Sequence, residues 1–277
     1  MRALLTGLVL ALAATTASAQ ILVDMSKKVQ ICETSKAMAQ VNACTYLLNV
    51  LRVSPKQRAV LHYNRGNGWY DVEQYKKAIA EYSAAIRLQA RYAVAYFNRA
   101  NAYRLMRQHE RAIADYSEAI GLNPNDSAAH NNRAAAYSAL KQYRKAVADI
   151  TKAIRLSPND AELYRNRGVV YFRLSDYPPA IADYTEAIRL KPRDGALYQG
   201  RANAYLNSTA YKKAVADYNR AISLNPRLAL SHFYRGVIYQ HIHKDRERAI
   251  ADYRAAYKLE PKNSKYAARL REMGVKP

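Results

Sequence analysis

Six histidines, two cysteines and a few isolated glycines make a thin inventory for catalysis in a chain of 277 residues. His62, His109, His130 and His232 stand apart from one another, and His241 and His243 are two residues apart. Side chains two apart on a helix point to different sides, so that pair would not share a metal. No nucleophile has a base paired with it by motif, and isolated glycines do not cradle a phosphate. The sequence therefore predicts no enzyme, no cofactor and no metal site. Two other sets are regular. Asn64, Asn98, Asn132 and Asn166 recur every 34 residues, each with an amide donor and acceptor. Arg65, Arg99, Arg133, Arg167, Arg201 and Arg235 recur at the same step, answered in number by Glu81, Asp115, Asp149, Asp183, Asp217 and Asp252. A charge between packed helices is costly unless paired, and a guanidinium fork satisfies a carboxylate with two hydrogen bonds. These pairs read as a structural ladder, within a copy or to the preceding one; the alternative is a row of arginines that binds anions.

The 34-residue step organises the middle of the chain. Ala59, Ala93, Ser127, Ala161, Gly195 and Ala229 open six copies, 59–92, 93–126, 127–160, 161–194, 195–228 and 229–263, the last with one extra residue near Asp245. With the first residue of each copy as slot 1, small and apolar residues fall at slots 4, 8 and 11, then at 17, 20, 21, 24, 27 and 28. That is helical spacing, two helices per copy. Asp126, Asp160 and Asp194 precede first helices as N-caps. Prolines at slot 32 stop the second helices, and Pro178 and Pro179 fall in a first turn, where lost donors matter least. Most of the 24 tyrosines occupy packing slots, which makes them core residues and not a stacking platform for nucleic acid.

Tyr at slot 4, Gly or Ala at 8, Tyr at 11, Ala at 20, Tyr at 24, Ala at 27 and Pro at 32 together resemble the tetratricopeptide repeat over 59–263. The resemblance implies an all-α fold, a right-handed α-solenoid of antiparallel helix pairs whose first helices line a concave groove. In this family slots 2, 5, 6, 9, 12 and 13 face that groove. The expected protein-binding residues are then Asn64, Asn98, Asn132 and Asn166, with Asn67 and Asn101 at slot 9, Tyr63 and Phe97 at slot 5, and Arg104, Arg165 and Arg173. A row of amides suits the backbone of an extended segment, and the arginines favour an acidic one. The alternative is that the asparagines bridge neighbouring helices. Gly200 and Tyr234 break the row in the last two copies. Tyr63 and Phe97 stand where a carboxylate clamp would need lysine, so that form of peptide-tail recognition is not expected.

The flanks carry an address and two caps. Met1 and Arg2, an apolar run from Ala3 to Ala14 and Ala17-Ser18-Ala19 read as a signal peptide over 1–19. The chain is expected to be exported, periplasmic or secreted, and soluble after cleavage, with no transmembrane segment in the mature chain; in this it resembles the small exported tetratricopeptide proteins of Gram-negative bacteria. Segment 20–58 is an N-terminal cap in which Val41, Cys44, Leu48 and Val50 fall on second-helix slots, and 264–277 is a closing helix. On one continuous helix Cys32 and Cys44 would lie about 18 Å apart, beyond disulfide reach. An extended return over Glu33 to Lys36 brings them together, in a compartment that permits the bond. The net charge of +22 exceeds what the ladder explains. Export argues against nucleic acid, and the second functional reading is a cell-envelope structural protein that attaches to anionic polymer or lipid through its basic surface.

Overall fold

A computed structural model describes residues 16–277, which form fifteen α-helices and no strand among the described residues. Most of the expected signal peptide, residues 1–15, lies outside them. Helices α1 (Thr16–Thr34) and α2 (Ala37–Val50) precede the repeats. The copies supply α3 (Pro55–Asp71) and α4 (Tyr75–Leu88), α5 (Ala93–Leu105) and α6 (His109–Leu122), α7 (Ser127–Ala139) and α8 (Tyr143–Leu156), α9 (Ala161–Arg173) and α10 (Tyr177–Leu190), α11 (Gly195–Asn207) and α12 (Tyr211–Leu224), then α13 (Ala229–His241) and α14 (Arg246–Leu259). Helix α15 (Ser264–Glu272) follows. The fold is the expected all-α solenoid of helix pairs. It divides into two compact units, one ending at Gln142 and the other beginning at Tyr143, so the third copy gives α7 to the first and α8 to the second.

Local chemistry sets the helix limits. Asp126, Asp160 and Asp194 accept from the backbone N–H groups of Ala129, Glu162 and Ala196, as N-caps do. Ser54 and Gln57 form a reciprocal capping box ahead of α3. Pro178 and Pro179 occupy the first turn of α10. First helices end in a left-handed residue at slot 15: Glu73, Arg107, Lys141, Ser175, Thr209 and, after the insertion, Lys244, with φ between 55° and 61°. The next N–H reaches back to close the end, Gln74 to the Trp69 carbonyl and Gln108 to that of Tyr103, each at 2.9 Å. None of the six is glycine, so each turn carries a steric cost of about 1 kcal/mol.

Alanines at slots 20 and 27 let each second helix lie close on first helices. Ala78, Ala85, Ala112, Ala180, Ala187, Ala214, Ala221, Ala249 and Ala256 are fully buried, and the slot 24 rings pack on first helices, Tyr116 with Ala100 and Ala136 and Tyr218 with Ala202 and Ile238. In the first unit a further cluster joins Val29, Cys32, Cys44 and Leu47 of the cap to Leu61 and Ala95. In the second, Tyr266 of α15 closes on Ala229 and Ala256.

Cys32 and Cys44 are joined, Sγ to Sγ at 2.05 Å, and both are fully buried. The return between them differs from the extended run expected. Helix α1 continues to Thr34, only Ser35 and Lys36 leave the helical path, and Ala37 takes φ 57° to reverse the chain. Gln40 Nε2 fixes this turn by donating to the Cys32 carbonyl at 2.9 Å. Gly68 lets α2 lie on α3, since a Cβ there would meet Val41 Cγ2 at 2.8 Å and the Ala37 carbonyl oxygen at 2.9 Å.

Candidate protein-binding site

The slot 7 arginines form a ladder of paired charges. Arg99 donates from Nε and Nη2 to the two Asp115 oxygens, each at 2.7 Å, while Nη1 reaches Ser83 of the preceding copy at 2.9 Å. Arg167 repeats this with Asp183 and Thr151, Arg201 with Asp217 and Thr185, and Arg235 with Asp252 and Asn219. Arg133 Nη1 likewise reaches Ser117 at 2.9 Å. In the first copy Arg65 holds Glu81 at 2.8 Å and reaches back to Thr45 of the cap at 3.3 Å, so α2 takes the place of a preceding second helix. Arg65, Arg99, Arg167, Arg201 and Arg235 each pair with the carboxylate of their own copy and staple that copy to the segment before it. Burial alone would raise the Glu81 carboxyl; hydrogen bonds from His62 and Arg65 outweigh it and hold the group below its ordinary value. The slot 25 acceptor was missed in the sequence, though Ser83, Ser117, Thr151 and Thr185 recur there at the same step.

The asparagines form a second network on α3, α5 and α7. Asn67 Oδ1 accepts from Tyr82 Oη and from Asn98 Nδ2, both at 2.9 Å. Asn98 Nδ2 also donates to Tyr63 Oη at 3.0 Å. One copy on, Asn101 Oδ1 accepts from Tyr116 Oη at 2.5 Å and from Asn132 Nδ2 at 3.1 Å. Slot 6 of one copy is thus bridged to slot 9 of the copy before, on an anchor supplied by the slot 24 phenol. Burial pushes the Tyr116 phenol up to about 12, which keeps it a donor. With both slot 9 oxygens engaged, the Nδ2 groups of Asn67 and Asn101 and the Oδ1 atoms of Asn98 and Asn132 have no hydrogen-bond partner among the described residues.

The break in the row has a packing cause. Copy four carries Val169 at slot 9, which offers Tyr184 no acceptor, and the Tyr184 ring lies against slot 6 of the next copy. A Cβ at Gly200 would stand 2.4 Å from that ring. Tyr234, at slot 6 of the last copy, stacks on Tyr218 with ring centroids 6.5 Å apart. Asn64 is buried, and Asn166 lies half-buried on α9 in the second unit.

Around the amides the other expected residues divide. Tyr63 packs on Tyr82 and Tyr92, and Phe97 meets Tyr116 edge-on at 5.8 Å, so these rings belong partly to the core. Arg165 Nη2 pairs with Glu162 at 2.9 Å, and Arg173 is exposed at the end of α9. Arg104 is half-buried. A cavity of about 380 Å³ opens in the first unit, lined by Asn67, Asn98, Asn101, Tyr70 and Tyr82 on one side and by the cap turn from Glu33 to Lys36 on the other. The disulfide therefore fixes a wall of this cavity. No cluster of His, Cys, Asp and Glu able to hold a metal occurs among the described residues.

Comparisons with known proteins accord with this geometry. Four family models described as tetratricopeptide repeat match residues 93–126, 133–202, 116–148 and 196–228. No curated protein matches the sequence. Among solved structures, YrrB, described as a TPR protein with an unusual peptide-binding site, is 22% identical with a TM-score of 0.57, over 69% of this chain and 97% of YrrB. A tetratricopeptide repeat protein from Parabacteroides merdae is 20% identical with a TM-score of 0.63, over 90% of this chain and 97% of its own. PilF of Pseudomonas aeruginosa is 17% identical with a TM-score of 0.64, over 79% of this chain and all of its own length, 100%. The helix pairs, their 34-residue register and these matches together make the chain a tetratricopeptide repeat protein.

Proposed function

We propose that this protein is an exported, non-enzymatic scaffold that binds an extended protein segment along the α3, α5 and α7 face of its first unit. The observation that carries the reading is the fixed amide row. Tyr82 and Tyr116 lock Asn67 and Asn101 so that each leaves an Nδ2 donor, and Asn98 and Asn132 leave an Oδ1 acceptor. A peptide backbone offers the complementary alternation of carbonyl and N–H, and recognition through it demands no particular side-chain sequence. YrrB, whose description includes a peptide-binding site, supports the reading by likeness of fold. Export rests on the leader, and no helix among the described residues is long and apolar enough to cross a membrane.

Asn67→Asp separates binding from structure. The variant keeps an oxygen to accept from Tyr82 and Asn98 and replaces the spare donor by a second, negatively charged acceptor. Binding of a randomised, fluorescein-labelled dodecapeptide pool should weaken about tenfold, the loss of one hydrogen bond in a partly desolvated site, with an unchanged melting temperature. Full-strength binding by the variant would overturn the reading. Attachment that fades steeply with salt and ignores this substitution would favour the basic surface instead.

A further inference from the structure

The arginines of this chain fall into two populations, and Arg104 belongs to neither end of that division. Arg65, Arg99, Arg167, Arg201 and Arg235 each hold a carboxylate within 2.8 Å. Others stand out in solvent. Arg104 is half-buried, yet its Nε is enclosed with no hydrogen-bond acceptor. It lies three residues beyond Asn101 on α5, which places it beside the spare amide donor on the same helix face. It also acts on Tyr70 of α3 and the buried Tyr116 of α6, lowering both against the upward push of burial. Asp71 acts on Tyr70 in the opposite sense and is not ion-paired with Arg104. A half-desolvated guanidinium that holds no carboxylate is unfavourable unless an anion completes it.

We propose that Arg104 receives a carboxylate side chain of the bound segment, so that the site selects a segment with Asp or Glu over the second repeat. This rests on the reading of the α3, α5 and α7 face given above and adds a side-chain requirement to its backbone recognition. The fork geometry explains the choice of side chain: the two Nη groups can engage both oxygens of one carboxylate, while the neighbouring amides hold the backbone on either side. The other two arginines expected on binding slots do not offer this, since Arg165 is already paired and Arg173 is solvated.

The test uses two labelled dodecapeptide pools, identical except that a central position is Glu in one and Gln in the other, titrated against the full mature chain. The Glu pool should bind about tenfold more tightly, the size of one charge-assisted hydrogen bond. Arg104→Gln should abolish the difference, Arg104→Lys should keep part of it, and Arg173→Gln should leave it intact. Circular dichroism melts of each variant show whether the fold is kept, and the Lys variant carries the test if the Gln variant unfolds. Equal binding of the two pools by the wild-type chain, or a preference that survives Arg104→Gln, overturns the inference and leaves the amide reading standing. Failure of both pools to bind the wild-type chain overturns the two together.

Discussion

Arg99→Met removes a cation from a nearly closed site and leaves Asp115 stranded. The Asp115 side chain is only 8% exposed and both its oxygens take their hydrogen bonds from Arg99 at 2.7 Å. Breaking a buried pair from one side costs about 3–5 kcal/mol. The Arg99 side chain is 18% exposed, so water reaches the pair and the lower end applies. Methionine replaces much of the aliphatic stem, and Ser83 keeps its bond to the Ile79 carbonyl at 2.7 Å, which limits further loss. The expected destabilisation is about 3 kcal/mol, a fall in melting temperature of about 6–12 °C for a domain of this size. Adding Asp115→Leu should recover at least half, because the carboxylate that was stranded is gone. Urea unfolding followed by circular dichroism gives the cycle. Hydrogen exchange of the α5 and α6 amides checks that the loss is local, since long repeat arrays need not unfold in one step. A single variant within about 0.5 kcal/mol of wild type, or a double variant worse than the single, would refute the ladder as a source of stability.

Mass spectrometry without reduction should find Cys32 and Cys44 bridged, and replacing both by serine should cost about 3 kcal/mol for a loop of this length; two free thiols in freshly exported protein would contradict the pairing. Arg107→Gly should stabilise by up to about 1 kcal/mol, because glycine takes the left-handed turn at φ 58° without a Cβ clash and part of the gain goes to unfolded-chain entropy; calorimetry reads the sign. Glu81 is held below its ordinary value in the folded chain, so its stabilisation is fully present above that value and is lost as pH falls through the depressed one. Melts between about pH 6 and 3 should be steeper for wild type than for Glu81→Gln, and parallel profiles would remove Glu81 from the acid limb.

What the sequence made legible follows from what repetition can encode. Helix existence, the N-caps at Asp126, Asp160 and Asp194 and the arginine ladder all recur at one step, so each copy testifies for the others. The sequence leaves open which copy's carboxylate an arginine takes, and Arg99, Arg167 and Arg201 take the carboxylate of their own copy with the hydroxyl of the one before. The bond between the slot 24 phenol and the slot 9 amide was not legible, because it joins two helices whose facing is a tertiary matter. A signal was present all the same: the copy before Gly200 carries Val169 at slot 9, so loss of the acceptor and loss of the next side chain go together. The left-handed turns at Glu73 and its equivalents gave no sign, since none carries the glycine that would mark them. The cysteine return was expected to be extended because a helix running to Thr34 followed by a two-residue reversal depends on Ala37 adopting a backbone that alanine seldom takes.

Site-specific photocrosslinking tests the central claim most directly. A benzoylphenylalanine at Tyr70, which lines the cavity beside the asparagines, is compared with one at Arg111, exposed on α6, each irradiated with the labelled Glu pool. Binding along α3, α5 and α7 predicts peptide adducts from position 70, competed by unlabelled peptide, and none above background from position 111. Adducts from 111 alone, or equal and uncompeted labelling at both, would contradict it.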